Sequence, residues 1–186
     1  MTYSHAIPEG WNIDWIVSKA QLFVQFNYSV SDSANPGFGK LTYNGTEEQF
    51  DAMSRVLETY PAAYADEVLK PALFIALADK RYAMQVSMPY SGVTLPCDQT
   101  TISTIAAKVL VMDKAGQTDG SFNWKVPGDP TTWLTLTYDE LVALGTAIND
   151  HIQACFDNEK ALFDAITAAE DVDAVQAIDI GSGWPN

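Results

Sequence analysis

Basic residues are scarce in this chain. Ten Lys and Arg stand against 24 Asp and Glu in 186 residues, a formal net charge of −14. A nucleic-acid-binding surface needs a basic patch, and so does docking on an anionic membrane. The sequence has neither, so no nucleic acid and no membrane are expected as partners. Histidine and cysteine are rarer still, with two of each: His5, His151, Cys97 and Cys155. Two cysteines far apart make no disulfide framework, and both are expected as reduced packing residues in a cytosolic chain. The most apolar stretches, residues 20–30 and 72–78, are too short to span a bilayer. Met1-Thr2-Tyr3-Ser4-His5 has neither the basic start nor the apolar run of a signal peptide, so no targeting segment is expected. There is no internal repeat and no low-complexity tract.

What remains is a globular composition, 47% hydrophobic and 11% aromatic. The length allows one domain, or one with a small appendage, and lets roughly two-thirds of the unfolded surface be buried. The acid is uneven. Residues 1–93 carry 6 Lys and Arg against 10 Asp and Glu, whereas residues 94–186 carry 4 against 14. After Thr137 only Lys160 opposes the acid. Two readings fit: a solvated helical face, or an acidic surface turned toward a basic partner.

Periodicity predicts an α+β chain. Alternation over residues 24–30 (Val24, Phe26, Tyr28 and Val30 on one face) predicts a half-buried strand. A loop over 32–39 and a short strand over 40–43 follow. Thr46 with Gln49 forms a capping box for a helix carrying Phe50, Met53, Val56, Leu57 and Tyr60. Pro61 is expected to break that helix or to start another, and Pro71 marks a domain boundary. Residues 71–88 read as a helix, 93–95 as an extended segment, and Asp98 as the cap of a helix that ends at Gly116. Residues 121–126 and 133–136 form a hairpin around Pro127-Gly128-Asp129-Pro130. Thr137 with Glu140 caps a long amphipathic helix whose apolar face carries Leu141, Leu144, Ile148, Ile152, Cys155, Phe156, Leu162, Phe163 and Ile166. A last short helix is expected over 172–178. The fold expected is thus a β-rich N-terminal segment with one helix (residues 1–70), then a mainly helical domain (residues 71–186) with a small hairpin and one long helix.

The search for reaction chemistry finds little. His151 and Cys155 lie one turn apart on the long helix, but too few ligands accompany them for structural zinc. They are read as packing residues. Cys97 precedes a helix start, which lowers a thiol pKa, but Asp98 beside it repels a thiolate. The carboxylate pairs Glu47/Glu48, Asp66/Glu67, Asp139/Glu140 and Glu170/Asp171 fall at helix starts or turns, where the dipole favours acid. No metal, cofactor or catalytic residue is expected. Trp184 differs from the other tryptophans because its Gly/Ser/Pro neighbours form neither helix nor strand. It either plugs its own domain or anchors a partner.

The stretch from His151 to Leu162 resembles the long helix of a small domain of unknown function common in tailed-bacteriophage genomes and often encoded beside tail-fibre genes. The order of features over residues 73–186 carries the resemblance: the Gly92 segment, the helix opened by Asp98, Trp124-Lys125, Leu136-Thr137 with its capped helix, and Ile178-Asp179-Ile180 followed by Gly183-Trp184-Pro185. Phage tail-fibre assembly chaperones also tend to end in a Trp-Pro segment. The Pro127-Gly128-Asp129-Pro130 insert is longer than the family's turn and is read as a contact of this chain's own. The resemblance implies a non-enzymatic structural component of a phage tail, attached to fibres or baseplate, or else a tail-fibre assembly chaperone. It implies a virion location after synthesis in the host bacterial cytoplasm, and tail-fibre or baseplate proteins as partners. Residues 1–70 would be the attachment or oligomerisation module, with a homotrimer favoured. The candidate partner-binding residues are Trp184, Pro185, Pro127 and Asp129.

Overall fold

The computed structural model describes residues 1–20, 26–29, 37–126, 129 and 131–185. The architecture is α+β, in two compact units: residues 1–69 with 170–173, and residues 70–169 with the chain from 174 onward.

In the N-terminal unit, β1 (Thr2–Pro8) is followed by α1 (Ile13–Lys19), β2 (Phe26–Ser29), β3 (Phe38–Asn44) and α2 (Glu47–Tyr64). β3 lies between β1 and β2 and is antiparallel to both. Phe26 and Tyr28 are half-buried and Asn27 and Ser29 exposed, the alternation expected of this strand. Val24, Gln25, Val30 and residues 32–36 of the expected loop lie outside the described residues. Phe38 and Gly39 belong to β3, not to that loop. Gly39 is required there, because a Cβ would collide with the Tyr28 ring.

The sequence reading did not identify α1. Its cap is Asn12, whose Oδ1 accepts from the Trp15 N–H at 2.9 Å. The Thr46 capping box of α2 is formed in both directions, at 3.3 and 3.0 Å. Pro61 does not break α2. The ring forfeits one helical hydrogen bond, but the turn before it is anchored: Tyr60 is 1% exposed, stacks on Trp11 at 4.2 Å, and its hydroxyl accepts from the Asn12 N–H at 2.7 Å. A π-helical turn, Ala65–Leu69, follows. Ile7, Ile16, Leu41, Tyr43, Met53 and Tyr60 form this unit's core.

The second unit contains α3 (Lys70–Gln85), the hairpin β4 (Ser87–Tyr90) and β5 (Val93–Pro96), and α4 (Gln99–Ala115). The hairpin β6 (Ser121–Lys125) and β7 (Trp133–Thr137) then leads into α5 (Tyr138–Ala168). The helix expected over 71–88 stops at Gln85. Met88 instead faces Leu95 across the first hairpin. Ser91 and Gly92 have φ of 47° and 80°, and two successive positive φ values make the tight turn that pairs the strands. Pro89 is tolerated because both strands of a two-stranded ribbon are edges.

Asp98 caps α4 by accepting from the Thr101 N–H at 2.7 Å, and Gly116 closes it in the left-handed conformation. Phe122 pairs with Leu136 and Trp124 with Leu134 in the second hairpin. Thr137 and Glu140 form the capping box of α5. After α5, the short helix α6 (Val172–Gln176) ends before the expected Ile178, and Val172 packs against the N-terminal unit's core. The first half of α5 buries Leu141, Leu144 and Ile148 against Ile105, Leu95, Trp124 and Leu136. Its second half buries Cys155 and Ile166 with Leu77 and Trp184.

Candidate functional site

α3 and α5 pack side by side, and a groove of about 670 Å³ runs along their outer seam. Its apolar floor is Phe74, Leu77 and Ala78 from α3 with Phe156 and Phe163 from α5. Phe74 and Phe163 stand ring to ring at 4.6 Å. The sequence places Phe156 and Phe163 on the buried face of α5, but they are 44% and 45% exposed. Each follows a core-side residue, Cys155 or Leu162, and one step along a helix turns a side chain by about 100°. The doublets Cys155-Phe156 and Leu162-Phe163 were the available signal: they make the apolar stripe wider than one packing seam needs.

The rim is charged. Arg81 Nε lies 3.2 Å from Glu159 Oε2, and its guanidinium lies 4.9 Å from the Phe156 ring centroid. The contact with Glu159 is an ion pair without a hydrogen bond from Nε, and the guanidinium covers part of one aromatic face. Lys160 Nζ donates to both Asp164 oxygens at 2.7 and 2.6 Å. Among the described residues, Asp157 accepts only from the neutral Gln153 amide, at 2.8 Å, and no cation pairs with it.

Trp184 sits away from solvent, 9% exposed, in the third core cluster. Its indole N–H donates to the Ile180 carbonyl at 2.9 Å, and Asn158 Nδ2 donates to the Ser182 carbonyl at 3.0 Å. Gly183 has φ +79°, and a Cβ there would meet the Asn158 side chain. Of the two sequence readings for Trp184, the packing is the internal one: the ring fills its own unit's core. Pro185 beside it is half-buried. Asp129 organises the end of the β6–β7 hairpin. One oxygen accepts from the Thr131 N–H and hydroxyl, both at 2.8 Å, and the other from the Thr132 hydroxyl at 2.7 Å. These bonds, the Thr132 hydroxyl first, hold its carboxyl down to about 2. Pro127 lies outside the described residues.

Neither thiol is activated. Burial pushes Cys97 up to about 11, with the Asp98 charge adding to it, so the helix start does not lower it. Burial also raises Cys155, against a smaller opposing effect of Arg81. His151 Nε2 lies 3.0 Å from the Met84 carbonyl, which can only accept, so that nitrogen carries a proton and is not a base toward Cys155 at 4.0 Å. Among the described residues no group of three or more His, Cys, Asp or Glu is placed to hold a metal. The α3–α5 seam thus presents aromatic rings edged with charges of both signs.

No curated protein and no solved structure matches the chain. Residues 68–181, more than half of the chain, match the family described as "Domain of unknown function (DUF4376)", and the chain belongs to that family.

Proposed function

We propose that this chain is a non-enzymatic structural component of a bacteriophage tail, attached to tail fibres or baseplate. The observation that carries the reading is the ordered resemblance over residues 73–186, from the Asp98-capped helix to the terminal Gly183-Trp184-Pro185. The α3–α5 groove supports it by supplying a face suited to a protein partner. In this reading the N-terminal unit attaches the protein or assembles it into a homotrimer. β1 and β2 are the edge strands of the described sheet, and an edge strand accepts another strand readily. The chain would be made in the host bacterial cytoplasm and carried into the virion, without cofactor. Quantifying it in purified particles of a phage that encodes it is the test. A fixed, stoichiometric copy number is expected, and its absence from particles overturns the proposal.

The Trp-Pro ending favours a second reading, an assembly chaperone for tail fibres. Co-expression with the adjacent fibre gene separates the two. Fibre that stays equally soluble when this chain is omitted removes the chaperone reading.

A further inference from the structure

Three features outside the core bear on binding. The first is the polar cleft of about 370 Å³ beside the start of α4, lined by Thr100, Thr101, Lys108, Trp124 and Lys125. Its Trp124 Nε1 has no hydrogen-bond partner among the described residues, but that atom is sealed from solvent, so no ligand reaches it. The second is the exposed pair Leu110 and Val111 on α4. The third, the α3–α5 groove, combines shape, apolar floor and charge.

We infer that the α3–α5 groove is a docking site for a basic, amphipathic helical segment of another protein. The floor favours apolar anchors. Phe156 and Phe163 are one heptad apart on α5, so they present rings about two turns, or ~10 Å, apart. That distance matches the spacing of apolar side chains at i and i+7 on a helix laid along the groove. Phe74 deepens the site at Phe163, and the Arg81 guanidinium holds the Phe156 ring in place from one side.

The rim sets the sign of the partner. Arg81 is largely covered beside Glu159, and Lys160 is paired with Asp164 on the surface. Among the described residues Asp157 has only an amide partner, and it is exposed, so it takes a Lys or Arg of the partner. The surrounding field points the same way. The chain as a whole has a net charge of −14, although α3 on the groove's other wall carries Lys70, Lys80 and Arg81 against Asp79. Such a field speeds the approach of a cation-rich partner and opposes like-charged ones. The same field argues against a second copy of this chain as occupant, because two chains of net charge −14 repel each other. The inference does not rest on a role in a phage tail: it is tested on purified chain, whereas the tail reading is tested on particles.

The experiment uses the full chain and three fluorescent peptides of about 18 residues, five helical turns. One is helical with Leu on one face and Lys on the other. The second has Glu in place of Lys. The third is a scramble of the first. Anisotropy titrations should show the patterned Leu/Lys peptide binding at least about tenfold more tightly than either other peptide. Phe156→Ser combined with Phe163→Ser should weaken it by about tenfold or more, and Asp157→Lys should weaken it and flatten its salt dependence. Val111→Ser on α4 should change nothing. Asp157→Lys touches an exposed rim residue, so it remains informative if the double variant folds poorly. Equal binding of the scramble, equal binding of the Leu/Glu peptide, or undiminished binding by the Phe variants each overturns the inference. So does sedimentation showing that the wild-type chain self-associates and that the Phe variants do not, since the occupant is then a second copy.

Discussion

The two halves of α5 share one helix but differ in what surrounds them. From Leu141 to Ile148 the helix is walled by α4 and both hairpins, and Leu141, Leu144 and Ile148 are all but sealed. α4 comes so close that a Cβ added at Gly145 would sit 3.2 Å from Ile105 Cγ2. The seam there leaves a groove of about 230 Å³. From Cys155 to Ala168 the helix is covered by α3 and by the segment that carries Trp184, and the groove left open is about 670 Å³. The difference teaches that amphipathic periodicity fixes which residues are able to be core. The number of neighbouring elements decides which of them are.

Substitutions break or sharpen that contrast. Leu144→Ala in the closed half should cost the most, about 4 kcal/mol, because its surroundings have little room to collapse onto the cavity; urea unfolding measures it. Trp184→Ala, in the half with fewer walls, should cost about 3 kcal/mol by the same measurement. A loss below about 0.5 kcal/mol there would show that the ring is not core. Thr137→Ala removes the side-chain half of the cap that starts the closed end and should cost about 1 kcal/mol. The hairpin beside that end should add a smaller, pH-dependent contribution through Asp129. Its carboxyl is held below its ordinary value, so its stabilisation is complete above about pH 4 and fades as pH falls toward about 2. Melting curves of wild type and Asp129→Asn should therefore differ near neutrality and converge in acid. Phe156→Ser, in the open groove, should change stability least, within about 0.5 kcal/mol. A cost like that of Leu144→Ala would erase the distinction between the two halves.

Much of the fold was legible because local rules govern it. The capping boxes at Thr46 and Thr137, the Asp98 cap, the Gly116 closure and the β6–β7 hairpin are each decided within a few residues, and all appear as read. Other features were not legible: α1, for all its local Asn12 cap, and three more whose causes differ. The helix runs through Pro61 because Tyr60 is held by Trp11 and Asn12. Met88 joins a strand because Ser91 adopts a positive φ that serine rarely takes. Phe156 and Phe163 are open because nothing among the described residues covers the outer seam of α3 and α5, and no helical period encodes a missing neighbour. The same applies to the candidate site: its aromatic residues were visible in the sequence, but their exposure was not. For Trp184 the sequence left docking and display as alternatives, and only the contacts with Leu77, Cys155 and Ile166 distinguish them.

Val172 has a consequence for how such a chain is inherited. The family match runs continuously over residues 68–181, yet Val172 within it, partly buried, packs against the core built by residues 1–69. A recombination that joins the matched segment to a foreign N-terminal region therefore carries away a side chain fitted to the region it leaves. The new neighbour must either offer Val172 an apolar socket or leave it in water. Exchange of the segment thus leaves one partly buried valine for the new N-terminal region to cover.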